Sequence, residues 1–169
     1  MTAVAASADD LARAFDADFA RPVAARAAAS EDVLAIRIGG EPYALVRNEL
    51  AGLFADKPVT PLPGGAPGLL GISGFRGALI PVYDLRALLG GGGGAAAPRW
   101  LVTAAGAPVA LAFDRLDALL RVPREAIAAR AVATTGHAPR VVRTAGEARP
   151  LLDVPSIVDA IRALARRQP

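Results

Sequence analysis

The feature that most limits how this chain can fold is a β pattern that occurs twice. In each copy a glycine precedes a proline and a short apolar run, and two leucines three residues apart follow. The matching phase of the copies indicates an internal duplication. Two copies of a small β unit predict two similar barrels that share a core, because closing a sheet removes its exposed edges. The corresponding residues are Gly40 and Gly106, Pro42 and Pro108, Leu50 and Leu116, and Leu53 and Leu119.

Alternating hydrophobicity at the start of the first copy predicts a β-hairpin. Leu34, Ile36 and Ile38 are apolar and alternate with residues of another character. A pair of glycines at 39–40 supplies a turn, and a second apolar run follows. We therefore expect a hairpin over residues 33–47.

A short amphipathic helix is predicted before the first copy. Leu11, Phe15 and Phe19 recur at every fourth position within residues 9–20, and aspartates and an arginine lie between them. This spacing places the three apolar side chains on one helical face. Residues 1–30 therefore divide into this helix and an alanine- and arginine-rich tether.

A second helix is predicted over residues 155–167. Pro155 suits its first turn, and Asp153 is placed to cap its N-terminus. Arginines near its end complement the helix dipole. Its apolar stripe consists of Ile157, Val158, Ile161 and Leu164.

Composition narrows the class of protein. The chain has 169 residues, of which 53% are hydrophobic and 21% are charged, as in a single globular domain. It has no cysteine, which excludes disulfides and zinc–thiolate sites. The net charge of +3 comes from scattered arginines, and aromatic residues make up only 5%, so a nucleic-acid surface is not expected. No apolar run approaches the roughly 18 residues that span a bilayer, so we expect no direct membrane insertion.

The segment around Arg76 is the most specific motif in the chain. Three glycines between residues 71 and 77 allow positive φ or close backbone approach, which predicts a tight loop of fixed shape. The loop presents Arg76 and leads directly into an apolar strand at 78–83. Pro81 lies inside that strand and lacks an N–H, which favours an edge position or a bulge.

This segment resembles the signature of the CheW-type adaptors of bacterial chemotaxis. Weaker matches on both sides extend the resemblance over residues 31–163, and residues 164–169 are then the end of the last helix and a tail. The residues that fit the signature are Gly71, Phe75, Arg76, Gly77, Ile80, Pro81, Val82, Asp84 and Leu85.

The resemblance implies a mainly β fold of two SH3-like five-stranded β-barrels packed together, with short N- and C-terminal helices. It also implies a cytoplasmic, non-enzymatic adaptor that needs no cofactor and is recruited to membrane receptor arrays. Such adaptors bind the regulatory domain of the chemotaxis histidine kinase through barrel ends. They bind the cytoplasmic tip of a chemoreceptor, a helical hairpin, in the groove between the barrels.

Matching positions give the residues expected to carry these contacts. The N-terminal helix is either a cover for the core or an additional docking helix, and Leu11, Phe15 and Phe19 are its anchors in both cases. For Arg76 two roles stay open, namely contact with the receptor and fastening of its own loop. The expected receptor-binding residues are Leu50, Leu53, Phe75, Arg76 and Gly77. The expected kinase-binding residues are Val109, Leu111 and Leu119.

The chain departs from the family pattern at two positions. Gly74 replaces an asparagine before the arginine, and Gly52 replaces a glutamate. The acidic residue nearest to Gly52 on its N-terminal side is Glu49. If the family's glutamate holds the loop arginine, Arg76 is freer in this chain or pairs elsewhere.

Two other functions are also compatible with parts of this sequence. One is a divergent CheW-like interaction module with a different partner, which the two glycine replacements favour. The other is a small hydrolase or metal enzyme, which requires Asp84 and Asp153 to converge in a pocket. Each of these aspartates, like Asp114, also has a simple local role at the end of a strand or at a helix N-terminus. The single histidine, His137, lies in a polar loop and is expected to be an ordinary exposed residue.

Overall fold

The structure is a computed structural model that describes residues 30–92, 98–130, 136–144 and 146–166. The predicted N-terminal helix, with Leu11, Phe15 and Phe19, lies outside the described residues. Strands account for most of the described chain, which confirms the prediction of a mainly β fold. None of the described helices is long and apolar enough to cross a bilayer.

The described residues form a series of short strands with a helix after the fifth and after the last. The strands are β1 (Ser30–Ile38), β2 (Glu41–Val46), β3 (Leu50–Ala55), β4 (Leu69–Phe75), β5 (Ala78–Asp84), β6 (Trp100–Ala104), β7 (Ala110–Phe113), β8 (Arg115–Pro123), β9 (Ile127–Ala129), β10 (Arg140–Thr144) and β11 (Glu147–Leu152). The helices are α1 (Leu85–Leu88) and α2 (Val154–Ala165).

The strands form two sheets that exchange strands between the two copies of the sequence pattern. Sheet A has the order β8-β1-β2-β11-β10-β9, and sheet B has the order β3-β6-β7-β5-β4. Each copy therefore gives its first two strands to one sheet and its later strands to the other. The only parallel pairs described, β2 with β11 and β5 with β7, occupy equivalent places in the two sheets. This equivalence supports the duplication inferred from sequence.

Sheet A has one strand more than the five expected from the resemblance. The additional strand is β9, which has three residues and pairs with β10 at the outside of the sheet. Sheet B has the expected five strands. The prediction of two packed β units is confirmed.

The buried residues of the strands form one core that the two sheets share and one smaller apolar cluster in each sheet. The shared core takes side chains from both sheets and from α2, among them Ile36, Leu111 and Ile157. A second cluster around Val142 lies in sheet A, and a third around Val82 lies in sheet B. Burial on both sides of the central strands joins the two sheets into one unit.

The predicted hairpin and C-terminal helix are both present. Gly39 and Gly40 have φ angles of 61° and 86°, the left-handed conformation that a two-residue hairpin turn requires between β1 and β2. β1 begins at Ser30, three residues earlier than predicted. The C-terminal helix begins at Val154, and the Asp153 side chain accepts a hydrogen bond from the backbone N–H of Ser156, as a cap should.

Candidate functional site

The loop that carries Arg76 is a two-residue turn between β4 and β5. Phe75 pairs with Ala78 across the turn. Arg76 and Gly77 both have positive φ, of 48° and 84°, which matches the twist of the flanking strands. The prediction of a tight turn of fixed shape is therefore confirmed, and the turn presents an exposed arginine.

Close backbone approach fixes the base of the same hairpin at Gly71. The backbone of Thr60 exchanges two hydrogen bonds with Ile72, of 2.8 and 2.9 Å. A Cβ atom on Gly71 would lie 2.0 Å from the carbonyl oxygen of Thr60, and the φ of Gly71 is 149°. Only glycine fits this position without movement of the backbone.

Pro81 lies where one side of β5 is free. β5 pairs with β4 on one side, with Pro81 opposite Ile72. The pairing with β7 on the other side starts only at Val82, opposite Ala110. The missing N–H of Pro81 therefore costs no ladder hydrogen bond to β7, which explains a proline inside a strand that is otherwise internal.

The guanidinium of Arg76 is free of partners within the described part of the chain, where it makes no hydrogen bond and no ion pair. Glu49, the acidic residue closest in sequence to Gly52, is engaged elsewhere. Its carboxylate accepts a hydrogen bond of 3.0 Å from the backbone N–H of Val154 and lies 3.7 Å from Arg140. Of the two roles considered for Arg76, the geometry gives no support to the fastening of its own loop.

Phe75 supports the hairpin from the inside. Its side chain is buried, and its ring packs edge-to-face against Phe54 with the centroids 4.9 Å apart. The ammonium of Lys57 lies 5.0 Å from the centroid of Phe75 and 5.7 Å from that of Phe54. These cation–π contacts stabilise the arrangement below the turn. Phe75 therefore supports the turn from below and exposes little surface of its own.

A small apolar groove lies between β3 of sheet B and β8 of sheet A. It has a volume of about 120 Å³. Leu50 is buried at the groove, whereas Leu53 and Leu119 are 40% and 64% exposed. The groove therefore combines the corresponding leucines of the two copies at the junction of the sheets. Its lining consists of Leu34, Arg47, Leu50, Gly52, Leu53, Leu116 and Leu119.

Comparison with models of protein families shows which family the chain belongs to. Residues 32–162 match the family model of the CheW-like domain. The chain belongs to the CheW-like domain family. Its fold is similar to that of the scaffolding protein TtCheW from Thermoanaerobacter tengcongensis, with a TM-score of 0.64 and 20% sequence identity, over 72% of this chain and 88% of that one. A search of curated proteins found no match.

The CheW-like family consists of non-enzymatic scaffolds, and the aspartates of this member have structural roles. Asp84 caps α1 by accepting a hydrogen bond from the N–H of Arg86, just as Asp153 caps α2. Asp114 accepts a hydrogen bond from the N–H of Gly39. Within the described ranges no group of three His, Asp or Glu residues could hold a metal ion. The polar loop histidine, His137, is partly buried against Ser156, with Nδ1 2.8 Å from the hydroxyl oxygen.

The two departures from the CheW-like pattern have different structural settings. A Cβ atom on Gly52 would lie 2.7 Å from a ring atom of Phe54, so a glutamate here requires that ring to move. At Gly74 the nearest atom to an added Cβ is 4.0 Å away, on Leu79. The ring of Phe54 thus occupies the space above Gly52, whereas the position of Gly74 is open to a side chain.

Burial separates the three residues expected to bind the kinase. Val109 and Leu111 are 6% and 0% exposed and lie in the shared core. A partner cannot reach these two side chains, because both are packed in the core that the two sheets share. Leu119 is exposed, but it lies at the groove with Leu53 rather than near the other two. The expected kinase site is therefore not formed by these three side chains together.

A buried arginine was missed by sequence reasoning. Arg149 is 6% exposed and donates hydrogen bonds to the carbonyl oxygen of Ile36, to Asp117 and to Glu147, of 3.1, 2.9 and 2.6 Å. Burial acts to raise the pKa of Asp117, but hydrogen bonds from Arg149 and Arg115 outweigh it and hold that pKa below its ordinary value. The cluster links β8, β1 and β11 within sheet A. The sequence signal is the alternation in β11, where Arg149 takes a position in phase with the buried Leu151.

Proposed function

We propose that this CheW-like protein is a non-enzymatic adaptor that couples chemoreceptors to a chemotaxis histidine kinase in a signalling array. The observation that carries the proposal is the combination of family membership with an apolar groove and an exposed turn arginine that has no partner among the described residues. A scaffold needs binding surfaces rather than reactive groups, and these are the features that the chain exposes. In this role it acts in the cytoplasm and reaches the membrane through its receptor.

The receptor tip is proposed to lie in the groove between β3 and β8. A helical hairpin offers apolar side chains at helical spacing, and Leu53 and Leu119 give them an apolar surface with Leu50 as its floor. The groove is small, so a few anchor side chains rather than total buried area would supply the affinity. Arg76 and Gly77 form the second contact, in which the guanidinium meets a carboxylate or the last carbonyl groups of a helix.

The regulatory domain of the kinase is proposed to bind an end of one β unit. Leu119 is the one exposed member of the three residues first assigned to this contact. Since it lies at the groove, a kinase and a receptor that both used it would compete. We therefore propose that Leu119 belongs to the receptor contact and that the kinase uses another surface.

The test is recovery of partners from a lysate of the source organism with tagged wild type and Arg76→Ala, identified by mass spectrometry. Alanine keeps a Cβ at the same positive φ, so the strain of the turn is unchanged by the substitution. Arg143→Ala is the matched control, because Arg143 is exposed on β10 of the other sheet. We expect wild type and control to recover a chemoreceptor and a histidine kinase, and Arg76→Ala to lose the receptor.

A second candidate is a CheW-like module that scaffolds a different partner. Gly52 favours it, because the glutamate of the family pattern is replaced here by space that the Phe54 ring fills. Recovery of neither receptor nor kinase by wild type would contradict the adaptor proposal and support this second candidate. Recovery of both partners by Arg76→Ala would contradict the role assigned to Arg76.

A further inference from the structure

The groove between β3 and β8 leaves apolar surface uncovered by the described residues. Four large hydrophobic side chains are exposed among the described residues, and two of them, Leu53 and Leu119, line this groove. The cavity of about 120 Å³ is close to the size that holds one aromatic ring, since a dry cavity of about 150 Å³ binds benzene. The groove therefore suits one aromatic side chain flanked by other apolar groups.

The chain itself contains a segment with that chemistry. Residues 9–20 have an apolar stripe of Leu11, Phe15 and Phe19, with a phenylalanine at its centre. An isolated helix of 12 residues is marginal in water, so this stripe needs a surface to pack on. Within residues 1–29 it is the only stretch with aromatic side chains.

The segment can reach the groove of its own molecule. β1 begins at Ser30, and Leu34 both lines the groove and pairs with Leu119. The four residue-to-residue steps from Ser30 to Leu34 cover about 13 Å in a strand. The nine residues at 21–29 can span up to about 30 Å when extended, so the tether is long enough to turn back along β1.

Charge also favours this contact. Residues 9–20 carry four aspartates and one arginine. The groove has one charged lining residue, Arg47, whose guanidinium donates a hydrogen bond to the carbonyl oxygen of Leu50. Among the described residues Arg47 forms no ion pair. Its charge helps to lower the pKa of Asp32, but that carboxylate is paired with Arg121, so Arg47 can also meet the aspartates beside the apolar stripe.

We propose that residues 9–20 form an amphipathic helix that docks its Leu11–Phe15–Phe19 stripe into the β3–β8 groove of the same molecule. Phe15, at the centre of the stripe, enters the cavity. A tethered occupant has an effective concentration in the millimolar range and lowers the apparent affinity of any other helix for the groove. The docking does not depend on the proposed function. Only its consequence, competition with a receptor, rests on that proposal.

The absence of cysteine makes a direct test possible, because two introduced cysteines form a unique pair. The full-length double variant Ala12→Cys with Leu119→Cys is oxidised at low protein concentration, and the rate of disulfide formation is followed by non-reducing electrophoresis and mass spectrometry. Ala12 lies at the edge of the stripe on a helical wheel, so a cysteine there keeps Leu11, Phe15 and Phe19 in place. One control pairs Ala12→Cys with Leu79→Cys, because Leu79 is 72% exposed on β5, away from the groove. The other pairs Ala17→Cys, on the opposite face of the helix, with Leu119→Cys.

We expect an intramolecular disulfide in the Ala12→Cys, Leu119→Cys variant to form at least about tenfold faster than in either control, as effective concentration predicts. Equal rates in all three pairs would overturn the proposal. Disulfides found only between two molecules would overturn it too and would make a second copy the occupant. Circular dichroism of the reduced variants checks that each is folded. Loss of receptor recovery in the lysate experiment leaves these rates unchanged, so the two proposals fail separately.

Discussion

At the scale of single residues, Arg76 stands out because its backbone conformation is costly. Its φ of 48° lies in the left-handed region, where a residue other than glycine is strained by about 1 kcal/mol or more. Glycine would form the same turn without that strain. An arginine at this position gives the turn nothing that glycine would not. Its distinctive contribution is therefore its side chain, in agreement with the proposed contact to a partner.

Gly71 and Gly74 give a matched test of the hairpin, since both lie in β4. Gly71→Ala places a methyl group against the Thr60 carbonyl, so we expect a loss of about 3 kcal/mol in the free energy of unfolding. Gly74→Ala adds a methyl group in open space, and its effect should stay within about 0.5 kcal/mol. Denaturant unfolding of both variants measures the difference. Equal losses in the two variants would show that Gly71 is not required for the Thr60–Ile72 bridge.

The backbone of this loop could be predicted from sequence, but the partners of its side chains could not. Glycine spacing restricts φ locally, so the turn follows from a few neighbouring residues. Pro81 was expected at a sheet edge or a bulge, but it lies in an internal strand, where the pairing with β7 starts only after it. Glu49 could have paired with Arg76. It instead accepts a hydrogen bond from Val154 at the N-terminus of α2, which is distant in sequence. Val109 and Leu111 were expected at a binding surface, but both are buried. Their burial depends on the opposite sheet, whose position the sequence does not show.

At the scale of elements, helix α2 depends on contacts from outside it. Asp153 caps its first turn, and Glu49 from the segment before β3 accepts the N–H of Val154. Burial raises the pKa of Glu49 above its ordinary value, although the hydrogen bond from Val154 and the charge of Arg140 act in the opposite direction. The native state therefore holds a proton on Glu49 at pH values where the unfolded chain has lost it.

This difference in pKa predicts how stability depends on pH. As the pH rises from about 4.5 through the raised native pKa, the unfolded chain binds fewer protons than the native state, so the contribution of Glu49 to stability falls. Glu49→Gln keeps an acceptor for Val154 but does not titrate. We expect the stability of this variant to increase relative to wild type between pH 4 and 7, measured by denaturant unfolding. Glu125→Gln, at an exposed glutamate, is the control, and a constant difference between Glu49→Gln and wild type would contradict the prediction.

Alternating and helical patterns gave the β1–β2 hairpin and α2 with errors of a few residues at their ends. These patterns report which side of an element is buried, and that is a local property. The exchange of strands between the copies was not predicted, because an alternating pattern does not say which strand lies alongside. The pairing of β3 with β6 and of β1 with β8 is decided by how the two copies pack as a whole.

At the scale of the whole molecule, strand exchange makes the two sheets depend on each other. Neither copy can complete a sheet alone, since sheet A needs β8 and β11 from the second copy and sheet B needs β3 to β5 from the first. The shared core couples them further. We therefore expect the domain to unfold in one cooperative transition rather than as two units.

A substitution in one sheet tests this coupling when it is observed from the other. Val142→Ala removes buried side-chain volume in sheet A and should cost about 2 kcal/mol. Trp100, the single tryptophan, lies in β6 of sheet B and reports on that sheet by fluorescence. We expect the Trp100 midpoint in denaturant to shift as far as the midpoint from far-ultraviolet circular dichroism. An unchanged Trp100 midpoint would mean that the sheets unfold separately.

Receptor binding is proposed to take place in the groove formed by the two sheets. The most direct measurement is the affinity of the full-length protein for a soluble fragment carrying that helical hairpin, with Leu53→Glu compared against Leu62→Glu. The two leucines are 40% and 44% exposed, but only Leu53 lies at the groove. We predict that Leu53→Glu weakens binding at least about tenfold, as expected for an anchor residue, while Leu62→Glu keeps the wild-type affinity. Equal affinity of the two variants, or no binding by wild type, would contradict the claim.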